Sequence, residues 1–285
     1  MGLTPEQDAS MTGDDKTVNE TKLEAKKLWL SFGGIQALIE IAFQVHGKEI
    51  VGIVGPNGSG KTCILNIISG FYKPQRGEII LEGKNITGMP PHKIAGLGVG
   101  RSFQQMELFS GMTVLENLLV GCHPFAKGNI LTAGIYWGFY QKTEVRLREL
   151  IEEVLDFMEL ESYRKQPAGG LSIGIQKLVG VARALCAQPK ILLLDEPSCG
   201  LSRDEKEDLA RFLLRIKYEK EIPIIWVEHD ISLVGELADR LIVLDQGEKI
   251  ADDSSEEVLE DPKVLGIFGG TTDFETPKPY GDQDF

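Results

Sequence analysis

The sequence predicts an α/β fold with a mostly parallel central sheet, an antiparallel β part and a helical insertion. Three observations predict it. Four short runs rich in Ile, Val and Leu, at 50–54, 191–194, 224–227 and 241–244, lack polar alternation. Strands buried on both faces of a parallel sheet read this way. Stretches with apolar residues at i, i+3, i+4 and i+7 separate these runs, as strands and crossover helices alternate in such folds. The first run also leads directly into a glycine-rich turn and then a helical run.

Taken in order, residues 1–20 are polar, acidic and without period, and are expected to form a disordered arm. The segment before Ile50 and the stretch 78–83 read as added antiparallel strands. Residues 63–69 continue the glycine turn as a helix. Residues 106–168 lack strand signals and read as a helical insertion with a glycine-rich connector at 121–138. Within it, Leu147, Leu150, Ile151, Val154, Leu155 and Met158 recur at helical spacing. Leu178, Val179, Ala182, Leu185 and Cys186 mark one more helix, and Leu209, Phe212, Leu213 and Ile216 another. Residues 270–285 are acidic, contain Pro277 and Pro279, and read as a disordered tail. One domain, 21–269, is expected between these ends.

Composition narrows the class. The 285 residues carry 30 Lys and Arg against 43 Asp and Glu, a net charge of −13. A hydrophobic share of 42% with 26% charged residues argues against a collagen, a wholly disordered chain and a disulfide scaffold. The acidic balance argues against a nucleic-acid partner, which needs Lys and Arg to neutralise phosphates. Cys63, Cys122, Cys186 and Cys199 form no CxxC pair, so reduced thiols are expected rather than a zinc site. No apolar run approaches the roughly 20 residues of a membrane helix, and the start lacks a signal-peptide pattern. The expectation is a soluble protein that reaches a membrane only through a partner.

The strongest local signal is GPNGSGKT: Gly55, Pro56, Asn57, Gly58, Ser59, Gly60, Lys61 and Thr62. It sits between a strand and a helix, as a phosphate loop must. The glycines let backbone N–H groups turn inward as an anion nest at a helix N-terminus. Lys61 suits the β- and γ-phosphates and the Thr62 hydroxyl suits Mg²⁺. Cys63 follows, where packing is expected. The buried run ILLLDEP ends in two carboxylates. Asp195 suits the metal, and Glu196 suits polarising a water for attack on the γ-phosphate. His229, in VEHD after a third run, can bond a phosphate oxygen or orient a water.

In that order these motifs resemble the nucleotide-binding subunit of ABC transporters, over about 23–269. The resemblance implies the P-loop NTPase core of an ABC ATPase cassette, with ATP and Mg²⁺ as cofactors. It implies that Phe32 stacks on adenine and that Gln104, in RSFQ, reaches Mg²⁺ and links the site to the membrane subunits. Leu171, Ser172, Ile173, Gly174, Ile175 and Gln176 match the family signature, which acts on the partner subunit's ATP. Residues 199–202 match the loop that crosses the dimer interface, and Glu196 and His229 match the catalytic glutamate and switch histidine. FGGIQAL, GVGRSFQ, the insert after Glu116 and Asn117, and DPKVLGIFGG resemble the branched-chain amino-acid uptake group. Urea, amide and aromatic-acid importers share that pattern.

The resemblance implies a peripheral subunit on the cytoplasmic face of the plasma membrane. Its implied partners are a second ATPase subunit (a heterodimer, with a homodimer as the other option), two permeases and, indirectly, a solute-binding protein. Lipid or lipopolysaccharide export ATPases and non-transport cassettes are the alternatives. The insert and the acidic balance disfavour them. The signature departs from the family at Ile173 and Ile175, while Ser172 and Gly174 are kept. One neutral hydrogen bond contributes only about 0.5–1.5 kcal/mol net, so the departure is expected to weaken the closed dimer rather than abolish it.

Overall fold

The structure is a computed structural model that describes residues 20–102, 108–123 and 137–268. The expected arm up to residue 19, Gln104, most of the 121–138 connector and the 270–285 tail lie outside the described residues.

In chain order the elements are β1 (Thr21–Phe32), β2 (Ile35–His46), β3 (Ile50–Val54), α1 (Lys61–Ile68), β4 (Arg76–Leu81), β5 (Lys84–Asn85), α2 (Pro91–Gly96), β6 (Val99–Ser102), α3 (Val114–Gly121), α4 (Trp137–Phe157), α5 (Ile173–Leu185), β7 (Ile191–Asp195), α6 (Arg203–Glu219), β8 (Ile224–Val227), α7 (Ile231–Leu237), β9 (Arg240–Asp245), β10 (Glu248–Ser254), α8 (Ser255–Glu260) and α9 (Pro262–Ile267). Two sheets organise them. One runs β2-β1-β4-β5 and is antiparallel, and the other runs β10-β9-β3-β8-β7-β6. The second sheet is parallel from β9 to β6, with β10 antiparallel at its edge.

The unbroken apolar runs have a direct physical reason. Along β7, Ile191 and Leu193 enter one hydrophobic cluster, and Leu192 and Leu194 enter the other. β8 repeats this, with Ile225 and Val227 on one side and Ile224 and Trp226 on the other. A strand with packed layers on both faces cannot alternate apolar with polar.

The sequence did not mark β6 or β10. Val99-Gly100-Arg101-Ser102 holds a single large apolar residue, and β10 is a charged edge strand. The remaining helices follow their chemistry. Ser202 and Glu205 form a capping box that starts α6, which buries Leu209, Phe212, Leu213 and Ile216. Thr113 and Glu116 do the same for α3. The predicted stripe Ile151, Val154, Leu155 and Met158 is buried in the insertion. Asn117 is fully buried there. Its amide accepts from Phe109 N (2.9 Å) and donates to the carbonyls of Phe109, Met112 and Thr113 (3.2, 3.3 and 3.0 Å).

Candidate nucleotide site

β3, β8 and β7 are parallel neighbours, so their C-terminal ends share one edge of the sheet. The glycine turn leaves the first, His229 follows the second, and Asp195 and Glu196 end the third. Ligands of open α/β sheets gather at such an edge.

Lys61 is buried within the turn. Its Nζ donates to the carbonyls of Gly55 (2.7 Å) and Pro56 (2.9 Å). Burial pushes its pKa below the usual lysine value, while the carboxylates of Glu196, Asp195 and Glu228 push it back up. Gly60 caps the helix at φ +105°, and a Cβ there would lie 2.5 Å from the Ala37 carbonyl oxygen. Only glycine fits that conformation and that approach. Asn57 and Gly58 at the tip are exposed, and Ser59 Oγ is buried without a hydrogen-bond partner. Cys63 is half-buried against the core, as expected of packing, and burial raises its thiol pKa.

Thr62 Oγ1 lies 3.5 Å from Asp195 Oδ1. The other Asp195 oxygen accepts from Arg101 Nη2 at 2.9 Å. Arg101 Nη1 donates to Asn66 Oδ1 (2.8 Å) and Ser69 Oγ (2.9 Å). Burial raises the Asp195 pKa, and the Arg101 guanidinium opposes that rise. A hydroxyl beside a carboxylate is a hard oxygen pair, the donor chemistry Mg²⁺ takes. These residues fit that ion.

Glu196 diverges from Asp195. Its Oε1 pairs with His229 Nε2, joining the ends of β7 and β8. Its backbone has φ +48°, and of the described non-glycine residues with positive φ it alone is buried. Its N–H donates to Val227 O (2.9 Å), and its carbonyl accepts from Lys177 Nζ (3.2 Å) and Cys199 N (3.3 Å).

Residues 171–176 form a second group. Ser172 caps α5 by accepting from Ile175 N at 3.3 Å. Gly174 N donates to Glu205 Oε1 at 3.1 Å, and a Cβ on Gly174 would sit 2.4 Å from that oxygen. The other Glu205 oxygen accepts from Ser202 N (3.0 Å) and Oγ (3.1 Å). Gln176 turns back to the Leu171 carbonyl (2.8 Å), Ile173 is exposed, and Ile175 packs half-buried on the core. Phe32, at the end of β1, is half exposed and meets Tyr72 edge to face at 5.2 Å.

Sequence reasoning missed Arg101, Glu205 and Glu228. Glu228 carried the clearest signal, because a carboxylate continuing the buried run IIWV needs partners.

The family model described as ABC transporter matches residues 38–199. This chain belongs to the ABC transporter family. As an ABC cassette it is an ATPase built on the P-loop α/β fold that the sequence predicts. It is similar to the high-affinity branched-chain amino acid transport ATP-binding protein BraF of Pseudomonas aeruginosa, with 36% identity over 87% of this chain and 97% of BraF. Among solved structures it is similar to the ADP conformation of MJ1267, an ATP-binding cassette of an ABC transporter. The TM-score is 0.77 at 33% identity, over 87% of this chain and 98% of that one. It is also similar to MJ0796, an ATP-binding cassette solved as a dimer in a post-hydrolysis state with ADP and Pi. There the TM-score is 0.67 at 27% identity, over 82% and 98% of the two chains. Among the described residues no helix is long and apolar enough to cross a membrane.

Proposed function

We propose that this chain is the ATP-hydrolysing subunit of an ABC importer that energises uptake of branched-chain amino acids or a related small polar or organic-acid solute. The observation that carries the reading is the likeness to BraF over 97% of that protein's length.

In this reading the loop from Gly55 to Thr62 binds the phosphates of ATP, and Lys61 leaves its two carbonyl partners for the β- and γ-phosphates. Phe32 stacks on adenine. Thr62, Asp195 and Gln104 hold Mg²⁺, which when bound neutralises phosphate charge during transfer. Arg101 fixes the Asp195 carboxylate. Glu196 accepts the proton of the attacking water, and His229 holds Glu196 and the γ-phosphate in line. Residues 171–176 serve the ATP of a second ATPase subunit.

Two permeases and, through them, a solute-binding protein complete the proposed assembly at the cytoplasmic face of the plasma membrane. A groove of about 440 Å³, whose lining includes Arg101 at β6, supports a permease contact. It is lined by Phe71, Ile94, Phe109, Val120 and His123.

The test is a pull-down of the tagged chain from detergent-solubilised membranes. Two unlike permeases and a second ATPase are the expected partners. Recovery of ribosomes, or of nothing membrane-bound, overturns the transport assignment.

A further inference from the structure

We propose that Glu228 is a positioning residue: its buried carboxylate ties the segment after Glu196 to the segment that carries His229, and so keeps the two groups aligned. The inference rests on the catalytic reading of Glu196 and His229 given above.

Four donors converge on this side chain, which is only 3% exposed. Oε1 accepts from Ser198 N at 2.9 Å, from Ser198 Oγ at 2.6 Å and from Trp226 Nε1 at 3.4 Å. Oε2 accepts from His229 N at 3.3 Å. The Glu228 backbone is itself anchored, because its N–H donates to Ile53 O (3.2 Å) in the strand that leads to the phosphate loop. One carboxylate thus refers both loops to β3.

The chemistry explains why a carboxylate stands here. A buried charge gives no stability advantage over a neutral side chain of similar volume. Glutamate does present acceptors on both oxygens, whereas glutamine presents one acceptor and one donor. A glutamine at 228 can satisfy Ser198 or His229, and its NH₂ then faces an N–H on the other side.

The backbone at Glu196 explains why alignment needs such a tie. A left-handed φ at a non-glycine residue is unfavourable and persists only where the surroundings over-determine it. Val227, Lys177 and Cys199 hold residue 196 itself, and Glu228 holds the chain two residues on.

The test measures ATP turnover of the complete complex, with the second ATPase subunit inactivated at its own hydrolytic site, in which this chain carries Glu228→Gln, Ser198→Ala, both together, or Glu196→Gln. Misalignment of reacting groups by about 1 Å costs up to about a hundredfold in rate. Glu228→Gln is therefore expected to lower kcat by between about tenfold and a hundredfold, with KM for ATP within about twofold, since ground-state binding is untouched. Ser198→Ala is expected to lower kcat less, and the double variant to be no worse than Glu228→Gln, because both remove one tie.

Wild-type kcat in Glu228→Gln overturns the proposal, as does a KM that rises in step with the loss, or losses that multiply in the double variant. If Glu228→Gln fails to fold, Ser198→Ala decides alone: kcat reduced at constant KM supports the tie, and unchanged kcat overturns it. Turnover that survives Glu196→Gln overturns the catalytic reading and this proposal with it. Turnover lost there but kept in Glu228→Gln overturns only the proposal.

Discussion

Lys61 carries its charge inside a cage of backbone carbonyls, and that gives it a testable titration. Burial holds its pKa below the ordinary 10.5. A bound phosphate favours the charged form. Above the free site's pKa, binding must therefore take up a proton, and affinity falls as pH rises. ATP affinity measured along a pH series is expected to weaken before 10.5, and Lys61→Ala is expected to bind weakly with no such slope. A flat profile up to 10.5 contradicts the assignment. The sequence singled out Lys61, Asp195, Glu196 and His229 because each stands in a short motif at the C-terminal end of a buried strand. It did not single out Arg101 and Glu228, because their partners Asp195 and Ser198 lie 94 and 30 residues away along the chain. A hydrogen bond at that separation leaves no local pattern.

Among the elements, Asn117 braces the entry to the helical insertion. Asn117 satisfies the backbone on both sides of residues 109–113 from a fully buried position. Asn117→Ala leaves the Phe109 N–H without its acceptor, while the three carbonyls keep the backbone donors Met112 N, Ala168 N and Asn117 N; an unsatisfied buried polar group costs about 1–3 kcal/mol. Denaturant unfolding is expected to show a loss of that size, and a loss under half a kcal/mol argues that water replaces the amide. The sequence told strands from helices at β3, β7, β8, β9, α5 and α6, and it left the short helices α2, α7, α8 and α9 unread, because six or seven residues are too few to show a period. It failed at β6, where Gly100 and Arg101 interrupt the run, and at β10, where the strand is an edge and only one neighbour constrains it. Pattern reports burial, and these two strands owe their place to pairing instead.

For the whole molecule, the irregular signature predicts an asymmetry between the two sites of the proposed pairing. In the proposed pairing, the ATP on this chain's own phosphate loop meets the partner's signature, and residues 171–176 meet the partner's ATP. Ile175 has no polar side-chain group to offer there and packs partly on the core. Ile175→Gln is expected to raise turnover of the complete complex, and unchanged turnover sinks the asymmetry.

The Gly174 amide adds a condition of its own. It is already hydrogen-bonded to an oxyanion, the Glu205 carboxylate of the same chain, whose acidity is increased by its Ser202 and Gly174 donors. In the proposed pairing, closing over a partner's nucleotide is then an exchange of one anion for another at an occupied donor. The driving force is a difference between two similar bonds, and closure answers to small changes in either. Glu205→Gln weakens the resident acceptor. It is expected to lower the ATP concentration at which the two subunits associate, as read by light scattering, whereas a higher threshold would make Glu205 a scaffold for the signature. In the proposed pairing this chain therefore carries its own competitor for the partner's nucleotide, a side chain that never leaves the molecule.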